Sequence, residues 1–213
     1  MFQLAIIKDT IPLHPSTFAT APDIALKNEL NKKYANKVLP SVGLCICVFD
    51  IIYAGEGKVR YGDGCLWHKV TLRLVVFRPF KSEVILARVH GSTSTHIRLT
   101  LGFFDDIYIP RQYLPYPSEF DPDQQKYFWV PSQAENDTLD WENLLDSPLG
   151  ERQYIDPRDV VRVRVEADEF REAQPEPPKA GDTPTRERMA PYVVTCTIAE
   201  QGLGVREWWA TPD

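Results

Sequence analysis

Residues 95–101 alternate between apolar and polar side chains, which predicts a half-buried β-strand. The acidic pair Asp105-Asp106 that follows can bond its own backbone and turn the chain, and Pro110 ends a second short strand. Basic and aromatic residues occupy the polar side of these strands. Such a pattern is typical of a small barrel that binds single-stranded nucleic acid, and it does not favour a catalytic pocket.

The first 80 residues predict a β-α-β-β unit. The predicted strands cover residues 2–8, 43–53 and 70–77. We expect the inward face of the first strand to consist of Phe2, Leu4 and Ile6. A helix begins at Pro22, and its apolar stripe, interpreted as core packing, consists of Leu26, Leu30 and Tyr34. The glycine-rich stretch 54–64 lacks the spacing of a phosphate loop and is interpreted as a hairpin.

From residue 81 the pattern becomes all-β. Five predicted strands cover residues 84–91, 95–104, 107–109, 160–165 and 192–198. Five short strands with turn signals predict an OB-fold barrel, with a further strand at 126–130. The fold class is therefore an α+β domain at 1–80 followed by an all-β OB barrel at 81–213. Two acidic insertions are expected in the barrel, near 132–157 and 166–190.

The net charge of −6 is distributed unevenly. The two acidic segments together carry −9, so the rest of the chain carries +3. A mildly basic body tolerates a polyanion better than the total suggests, although it is less basic than a dedicated DNA-binding protein. No apolar stretch is long enough for a membrane span.

Cysteine and histidine spacing predicts no metal site and no cofactor. Cys45 and Cys47 stand two apart in a strand and are expected to share a face. The four cysteines are interpreted as buried free thiols in a reducing compartment, and the four histidines are dispersed. Asp105 and Asp106 are neighbours on an extended chain, so they do not converge as a catalytic pair, and no catalytic residue is assigned.

Candidate RNA-binding residues are those expected to point outward from the barrel with a basic or aromatic side chain. They are Arg88, His90, Arg98, Tyr108, Arg111, Lys126, Arg162 and Arg164. The alternative, in which each arginine is simply solvated, remains open. Near the C-terminus, Trp208 and Trp209 would be costly to leave in water. We expect one ring to close the domain interface and the other to lie near a partner.

Several motifs resemble one family over nearly the whole chain. The segments NKKYANKV (31–38), VGLCICVFDI (42–51) and VVFRPF (75–80) closely resemble the larger stalk subunit of RNA polymerases. The segments LGFFDDIYIP (101–110) and GLGVREWW (202–209) resemble specifically the RNA polymerase III version, which is a eukaryotic relative of an archaeal polymerase stalk protein. The similarity fails mainly in the two acidic insertions.

The resemblance implies a truncated RNP-like domain at 1–80 that docks on the polymerase core, followed by the OB barrel. It implies a non-catalytic, nuclear subunit that forms a heterodimer with a smaller helical subunit along the domain junction, contacts nascent RNA and contributes to initiation. The candidate core-docking residues lie in two loops and are Pro12, His14, Pro15, Phe18, Gly55, Gly57, Tyr61, Gly62 and Gly64. The candidate partner contacts are Phe80, Trp208 and Trp209.

Other functions remain possible from the sequence. The chain could be a stand-alone OB-fold RNA-binding protein, or the stalk subunit of another nuclear RNA polymerase. A hydrolase that uses the Asp105-Asp106 turn is a third hypothesis, and it predicts that Asn substitutions abolish turnover.

Overall fold

The computed structural model describes residues 1–131, 144–171 and 190–209 of the 213-residue chain. The chain divides into two compact units, Met1–Pro79 and Phe80–Asp213. Within the described ranges, no helix has both the length and the apolar character needed to cross a lipid bilayer.

The N-terminal unit is an antiparallel sheet with one helix. Its strands are β1 (Phe2–Leu13), β2 (Lys37–Leu39), β3 (Gly43–Ala54), β4 (Lys58–Val59) and β5 (Leu66–Phe77). They lie in the order β1-β5-β3-β2, and β4 pairs with β5. Helix α1 (Pro22–Tyr34) begins at the predicted proline, with an acidic residue in its first turn and two lysines in its last. The β-α-β-β prediction is confirmed, with two short strands added.

Helix α1 covers one face of this sheet. Its buried residues Leu26 and Leu30 belong to the same core cluster as Leu72 and Leu74 of β5. Asp9 of β1 bonds to the end of the helix, because it accepts hydrogen bonds from Lys33 and Tyr34. Burial alone would raise the pKa of Asp9, but these two hydrogen bonds, a third from the Thr10 N–H and the charge of Lys33 together lower it.

The predicted orientation of β1 is wrong. Phe2, Leu4 and Ile6 point away from the core, whereas Ile11 and Leu13 are buried in it. The first seven residues are apolar on both faces, so alternation alone could not tell which face meets the helix. The strand also runs beyond residue 8, and through Pro12, because β1 is an edge strand on which a missing N–H is tolerated.

A β-bulge separates the two cysteines that were expected to share a face. The register of β3 against β5 shifts between Cys45 and Cys47, so Cys45 points into the core and Cys47 is exposed. Cys196 is buried in the other unit, and burial raises the pKa of its thiol to about 12. All four cysteines are free, but only Cys45 and Cys196 are buried as predicted.

The C-terminal unit contains a closed barrel. Its strands are β6 (Val84–Ser92), β7 (His96–Thr100), β8 (Ile107–Pro110), β12 (Val160–Phe170), β13 (Tyr192–Thr197) and the short β14 (Gly204–Val205). The order β13-β8-β7-β6-β12 closes because β13 also pairs with β12. β8 and β13 are parallel and the other pairs are antiparallel, which is the five-stranded barrel that the sequence predicted as an OB fold.

Alternation along the barrel strands fills its interior. Val161, Val163 and Val165 of β12 are buried, and so are Ile97 and Leu99 of β7, as predicted. β7 ends at Thr100 rather than at residue 104, because Gly102 has a positive φ of 86° and begins a loop. The Leu101 N–H closes this loop by donating to the carbonyl of Phe104 at 2.9 Å.

The connection between β8 and β12 carries a small sheet of its own. It consists of β9 (Ser118–Asp121), β10 (Lys126–Trp129) and β11 (Gln153–Tyr154), in the order β11-β10-β9. The extra strand predicted at 126–130 is confirmed. Short 3₁₀ turns precede β11, and Arg152 donates hydrogen bonds to the carbonyls of Leu145 and Ser147.

The second acidic insertion begins later in the chain than the sequence predicted. Residues 132–143 and 172–189 lie outside the described part of the chain. The second insertion does not begin at residue 166, because β12 continues through Phe170 and its last residues pair with β13. The acidic side chains of this extension occupy half-buried or exposed positions of a regular strand, so negative charge there did not mark a loop.

Candidate nucleic-acid and partner interfaces

Three candidate RNA-binding arginines lie side by side on the outer surface of β6 and β12. The register places Val160 opposite Arg88, Arg162 opposite Leu86 and Arg164 opposite Val84. These residues alternate with buried valines and alanine, so their side chains point outward. His90 is two residues beyond Arg88 on the exposed side of β6.

Arg164 is held by acidic neighbours. Its guanidinium contacts Glu166 at 2.6 Å and also bonds Glu200. The hydrogen bonds that Arg164 donates to Glu166 and Glu200 raise the pKa of Arg164 above its ordinary value. A phosphate would therefore have to displace two carboxylates, which makes Arg164 a weaker candidate than its position suggests.

A second group of candidates lies on β7 and β8. Arg98 stands opposite Tyr108 in the register, and both bond the carboxylate of Asp106, at 3.2 Å and 3.3 Å. Arg98 also donates to the carbonyl of Asp105 at 2.9 Å, while the carboxylate of Asp105 accepts from Thr100. Both turn aspartates therefore hold the end of the hairpin in place.

The remaining candidates differ in their partners. Arg111 lies 3.8 Å from Glu119, and Lys126 lies 2.7 Å from Asp156. Arg162 donates to the carbonyl of Gly202 at 3.1 Å and has no carboxylate partner in the described part of the chain. Within the described residues, Arg88 and His90 have no ion-pair partner. The structure thus distributes the eight candidates over several strands, and five of them already bond an acidic side chain.

The two candidate docking loops come from the same end of the N-terminal sheet. β1 and β5 pair through Leu13 and Leu66, and a Cβ added to Gly64 would lie 3.9 Å from Cγ of Pro15. The loop predicted at Pro12 is wrong, because Pro12 belongs to β1, where it stands opposite Trp67. The remaining loop residues keep their predicted placement.

Large side chains at the tips of these loops are in solvent. Phe18 is exposed and Tyr61 is fully exposed. Asp63 fixes the second loop, since it accepts from the Cys65 N–H and the Trp67 indole, each at 3.0 Å. The Cys65 N–H bond and the Trp67 bond lower the pKa of Asp63. The Gly57 backbone packs closely on His68, which bonds the carbonyl of Gly55 at 2.9 Å.

The two tryptophans pack within the barrel unit. Trp208 is half-buried, its ring centroid lies 5.1 Å from that of Trp129, and it covers the backbone of Gly204. Trp209 is 40% exposed, and its indole N–H donates to the carbonyl of Leu203 at 2.8 Å. Phe80 is exposed. One ring therefore packs on the protein and the other is partly free.

The open face of the N-terminal sheet is the largest feature that the sequence did not predict. Opposite helix α1, six large apolar side chains are each about half or more exposed. They are Phe2, Leu4, Ile6, Phe49, Ile52 and Tyr53. In the register, Val75 lies between Leu4 and Cys47, and Arg73 lies between Ile6 and Asp50, on the side of β5 opposite the core with helix α1. We call this side of the sheet the open face. The apolar residues on both faces of β1 were the available signal.

One ion pair lies within the open face. Arg73 stands opposite both Ile6 and Asp50, bonds the Asp50 carboxylate, and lies 5.2 Å from the ring centre of Phe49. The Arg73 hydrogen bonds hold the pKa of Asp50 below its ordinary value. The two charges of this pair neutralise each other.

Metal-ligand geometry is absent from the part of the chain that the structure describes. Among residues 1–131, 144–171 and 190–209, no three His, Cys, Asp or Glu side chains are grouped to hold a metal ion.

Comparison with known proteins agrees with the two-unit architecture. The family model "RNA polymerase III subunit Rpc25" matches residues 83–209, which cover the barrel. The model "SHS2 domain found in N terminus of Rpb7p/Rpc25p/MJ0397" matches residues 8–64 in the N-terminal unit.

Similar proteins come from fungi, animals and archaea. The chain is 36% identical over 213 residues to DNA-directed RNA polymerase III subunit rpc8 of Schizosaccharomyces pombe, covering 98% of this chain and 100% of the relative. It is 35% identical over 216 residues to RPC8 of Bos taurus, covering 99% and 100%. The archaeal subunit Rpo7 of Saccharolobus shibatae is 24% identical over 168 residues, 78% of this chain and 81% of the relative. The chain therefore belongs to the Rpc25/RPC8 family of RNA polymerase III subunits.

Proposed function

We propose that this chain is the larger stalk subunit of nuclear RNA polymerase III and that it is non-catalytic. In this proposal it forms a heterodimer with a smaller helical subunit, docks on the polymerase core through its N-terminal unit, contacts nascent RNA with its barrel and contributes to initiation. The observation that carries the proposal is the open face, considered together with family membership over the whole chain.

The open face supports a permanent partner. A solvated face of an antiparallel sheet is normally polar. Here Leu4, Ile6 and Phe49 are 50%, 65% and 52% exposed. A contiguous apolar patch of this kind marks an interaction site. We propose that the smaller subunit packs on this face, with its own apolar side chains against these residues.

The loop tips support docking on the core. Tyr61 is fully exposed although its loop is anchored at Asp63 by two hydrogen bonds. An aromatic residue held out in solvent by a fixed loop is the kind of anchor that fills a pocket on a partner. Phe18 on the neighbouring loop supplies a second one.

Purification of the tagged chain from cells tests the proposal. The unmodified chain should recover RNA polymerase III subunits and a small helical protein. Leu4→Glu should lose the small protein, because burying a carboxylate against an apolar partner is costly. Recovery of only RNA polymerase II subunits, or of no polymerase subunit, would contradict the proposal.

A matched variant separates a lost partner from a damaged fold. Leu86 on the barrel is 56% exposed, close to the value for Leu4, and Leu86→Glu should keep the small protein. Tyr61→Ala should keep the small protein but reduce recovery of the core. Loss of the small protein from the Leu86 variant as well would remove the assignment to the open face.

RNA contact is tested with the purified heterodimer. Arg88→Ala and Arg162→Ala should weaken binding to single-stranded RNA and reduce its salt dependence, because these two cations lack a carboxylate partner among the described residues. Arg164→Ala should have a smaller effect, since Glu166 and Glu200 already neutralise that guanidinium. A larger effect at Arg164 than at Arg88 and Arg162 would contradict this ranking.

A further inference from the structure

A pocket on the barrel unit shares Arg162 with the RNA contact proposed above, and its other lining residues are not used by that contact. It lies where the start of β12 meets β14 and the 3₁₀ turn Arg206–Trp209, and its volume is about 710 Å³. That volume is within the range of about 300–1,000 Å³ found for small-molecule sites. The usual ligand surface of an OB barrel, on its second and third strands, corresponds here to β7 and β8 and does not line this pocket.

Three arginines line the pocket. Arg158 and Arg206 are exposed, and no carboxylate of the described residues is within ion-pair distance of either. Arg162 uses one N–H for the carbonyl of Gly202 at 3.1 Å and keeps its other donors. A guanidinium binds phosphate oxygens through paired N–H groups, so three of them around one cavity suit a phosphate.

One wall of the pocket is the ring of Trp209. The indole N–H bonds the carbonyl of Leu203 at 2.8 Å, which fixes the ring. The residue is still 40% exposed. A fixed aromatic ring with a free surface is a platform on which a nucleic-acid base can stack.

Two acidic residues at the pocket indicate which anion fits. Asp159 and Glu207 line it beside the arginines, so its net charge is only mildly positive. A polyacidic peptide would be repelled by these carboxylates. A nucleotide would not, because the amino groups of its base can donate to a carboxylate while its phosphate binds the arginines.

We propose that this pocket binds a nucleotide, with the base on Trp209 and the phosphate held by Arg158, Arg162 and Arg206. The same chemistry is offered by a free nucleotide and by the terminal nucleotide of an RNA chain. In the second case the inference rests on the proposed RNA contact and adds a site for the chain end. It also gives Trp209 a role other than the partner contact expected from the sequence.

Calorimetric titration of the full-length chain tests the proposal. The probes are guanosine and adenosine monophosphate, and a ten-nucleotide RNA with either a 5′-phosphate or a 5′-hydroxyl. Trp209→Leu should weaken mononucleotide binding at least about fivefold. The double variant Arg158→Ala/Arg206→Ala should weaken it at least about tenfold. Arg206→Lys should retain more affinity than Arg206→Ala.

The probes distinguish the two sources of the nucleotide. Stronger binding of the 5′-phosphate RNA than of the 5′-hydroxyl RNA, lost in the double variant, assigns the pocket to a chain end. Binding of the mononucleotides without any preference between the two RNAs assigns it to a free nucleotide. The control is Arg171→Ala, because Arg171 is exposed and paired with Glu169 on the strand extension and should leave binding unchanged.

Several results would overturn the proposal. The first is the absence of nucleotide binding to the unmodified chain, and the second is unchanged binding by the variants. The third is displacement of the nucleotide by poly-glutamate to the same extent in the unmodified chain and in the Trp209→Leu variant. Recovery of polymerase III subunits should be normal for every pocket variant. A failed nucleotide assay with normal recovery therefore rejects the pocket alone, and failed recovery of the unmodified chain rejects the proposed function.

Discussion

The N-terminal sheet and the C-terminal barrel bury their apolar residues in different ways. The barrel closes on itself, so its inward residues meet each other, and its outer surface carries ion pairs such as Arg98–Asp106. The sheet stays open, with helix α1 on one side and exposed Leu4, Ile6 and Phe49 on the other. The barrel completes its own core, whereas the sheet leaves a second apolar surface exposed.

The difference shows how one sequence pattern can have two meanings. Alternation in β12 of the barrel separates a buried face of valines from a face with charged side chains, and the charges mark the outside. Alternation in β1 separates two apolar faces, and only one of them belongs to the core of this chain. The second face does not contribute to that core, and under the proposed function it is the surface that a partner covers.

Truncation of matched leucines should give the largest contrast. Leu99 in the barrel is 0% exposed, and Leu99→Ala should lower the free energy of unfolding by about 3–4 kcal/mol, through lost burial and the cavity left behind. Leu4→Ala on the open face should cost less than about 1 kcal/mol in the chain alone. Urea unfolding of both purified variants measures this. Similar losses would mean that the open face is part of the core of this chain.

The turn before the C-terminal tryptophans should show the next largest effect. Gly204 has a φ of 99°, and a Cβ there would lie 2.6 Å from the Trp208 ring, so Gly204→Ala should cost about 2–3 kcal/mol. Gly202 also has a positive φ, 86°, but no neighbouring atom within 4 Å. Gly202→Ala should therefore cost only about 1 kcal/mol. Thermal unfolding of the two variants measures the loss of stability in each. Equal losses of stability would show that the contact with Trp208 adds nothing to the cost of the Gly204 substitution.

The barrel was predictable because its signals are local. Alternating valines in β12, the turn at Asp105-Asp106 and the proline that ends β8 are each signals carried by neighbouring residues, and together they specify the strands of the barrel. Helix α1 was predictable for the same reason, since its first proline and its lysines mark its two ends.

The features that could not be predicted from the sequence are side-chain orientations and ion pairs that depend on residues far apart in the chain. The inward face of β1 is decided by helix α1, and the outward turn of Cys47 by a shift of register against β5. The candidate RNA surface is changed by Glu200, an acid 36 positions from the arginine it neutralises. Such pairings arise from the fold, so outward-pointing arginines were identified while their partners were not.

Acid should weaken the small sheet of the barrel unit through Asp121. Its buried carboxyl accepts from the N–H groups of Asp123 and Gln124, at 2.9 Å and 3.2 Å, and from the hydroxyl of Tyr154 at 3.1 Å. Burial alone would raise the pKa of Asp121, but these hydrogen bonds and the nearby Arg152 lower it below its ordinary value.

The pKa of Asp121 is lower in the folded state than in the unfolded state, where it has its ordinary value of about 3.9. The ionised carboxylate therefore stabilises the folded protein at a pH above the ordinary pKa, and this stabilisation is lost as the pH falls through the folded-state pKa. Asp121→Asn should lower stability by about 1–2 kcal/mol at pH 7 and flatten the loss of stability on acidification. Urea unfolding at several pH values measures both effects. An unchanged acid profile in the variant would show that other carboxyls dominate.

The smallest effect should come from the ion pairs on the outside of the barrel. Arg98 and Asp106 are both about one-third exposed and lie 3.2 Å apart. A double-mutant cycle with Arg98→Ala and Asp106→Ala should give a coupling energy below about 1 kcal/mol, decreasing further in 1 M salt because exposed pairs are screened. A coupling energy well above that value would mean that the charged outer surface, and not only the closed interior, stabilises the barrel.

The same cycle for Arg73 and Asp50 extends the comparison to the open face. There a partner that covers the surface should strengthen the coupling, because the pair would lose its contact with water.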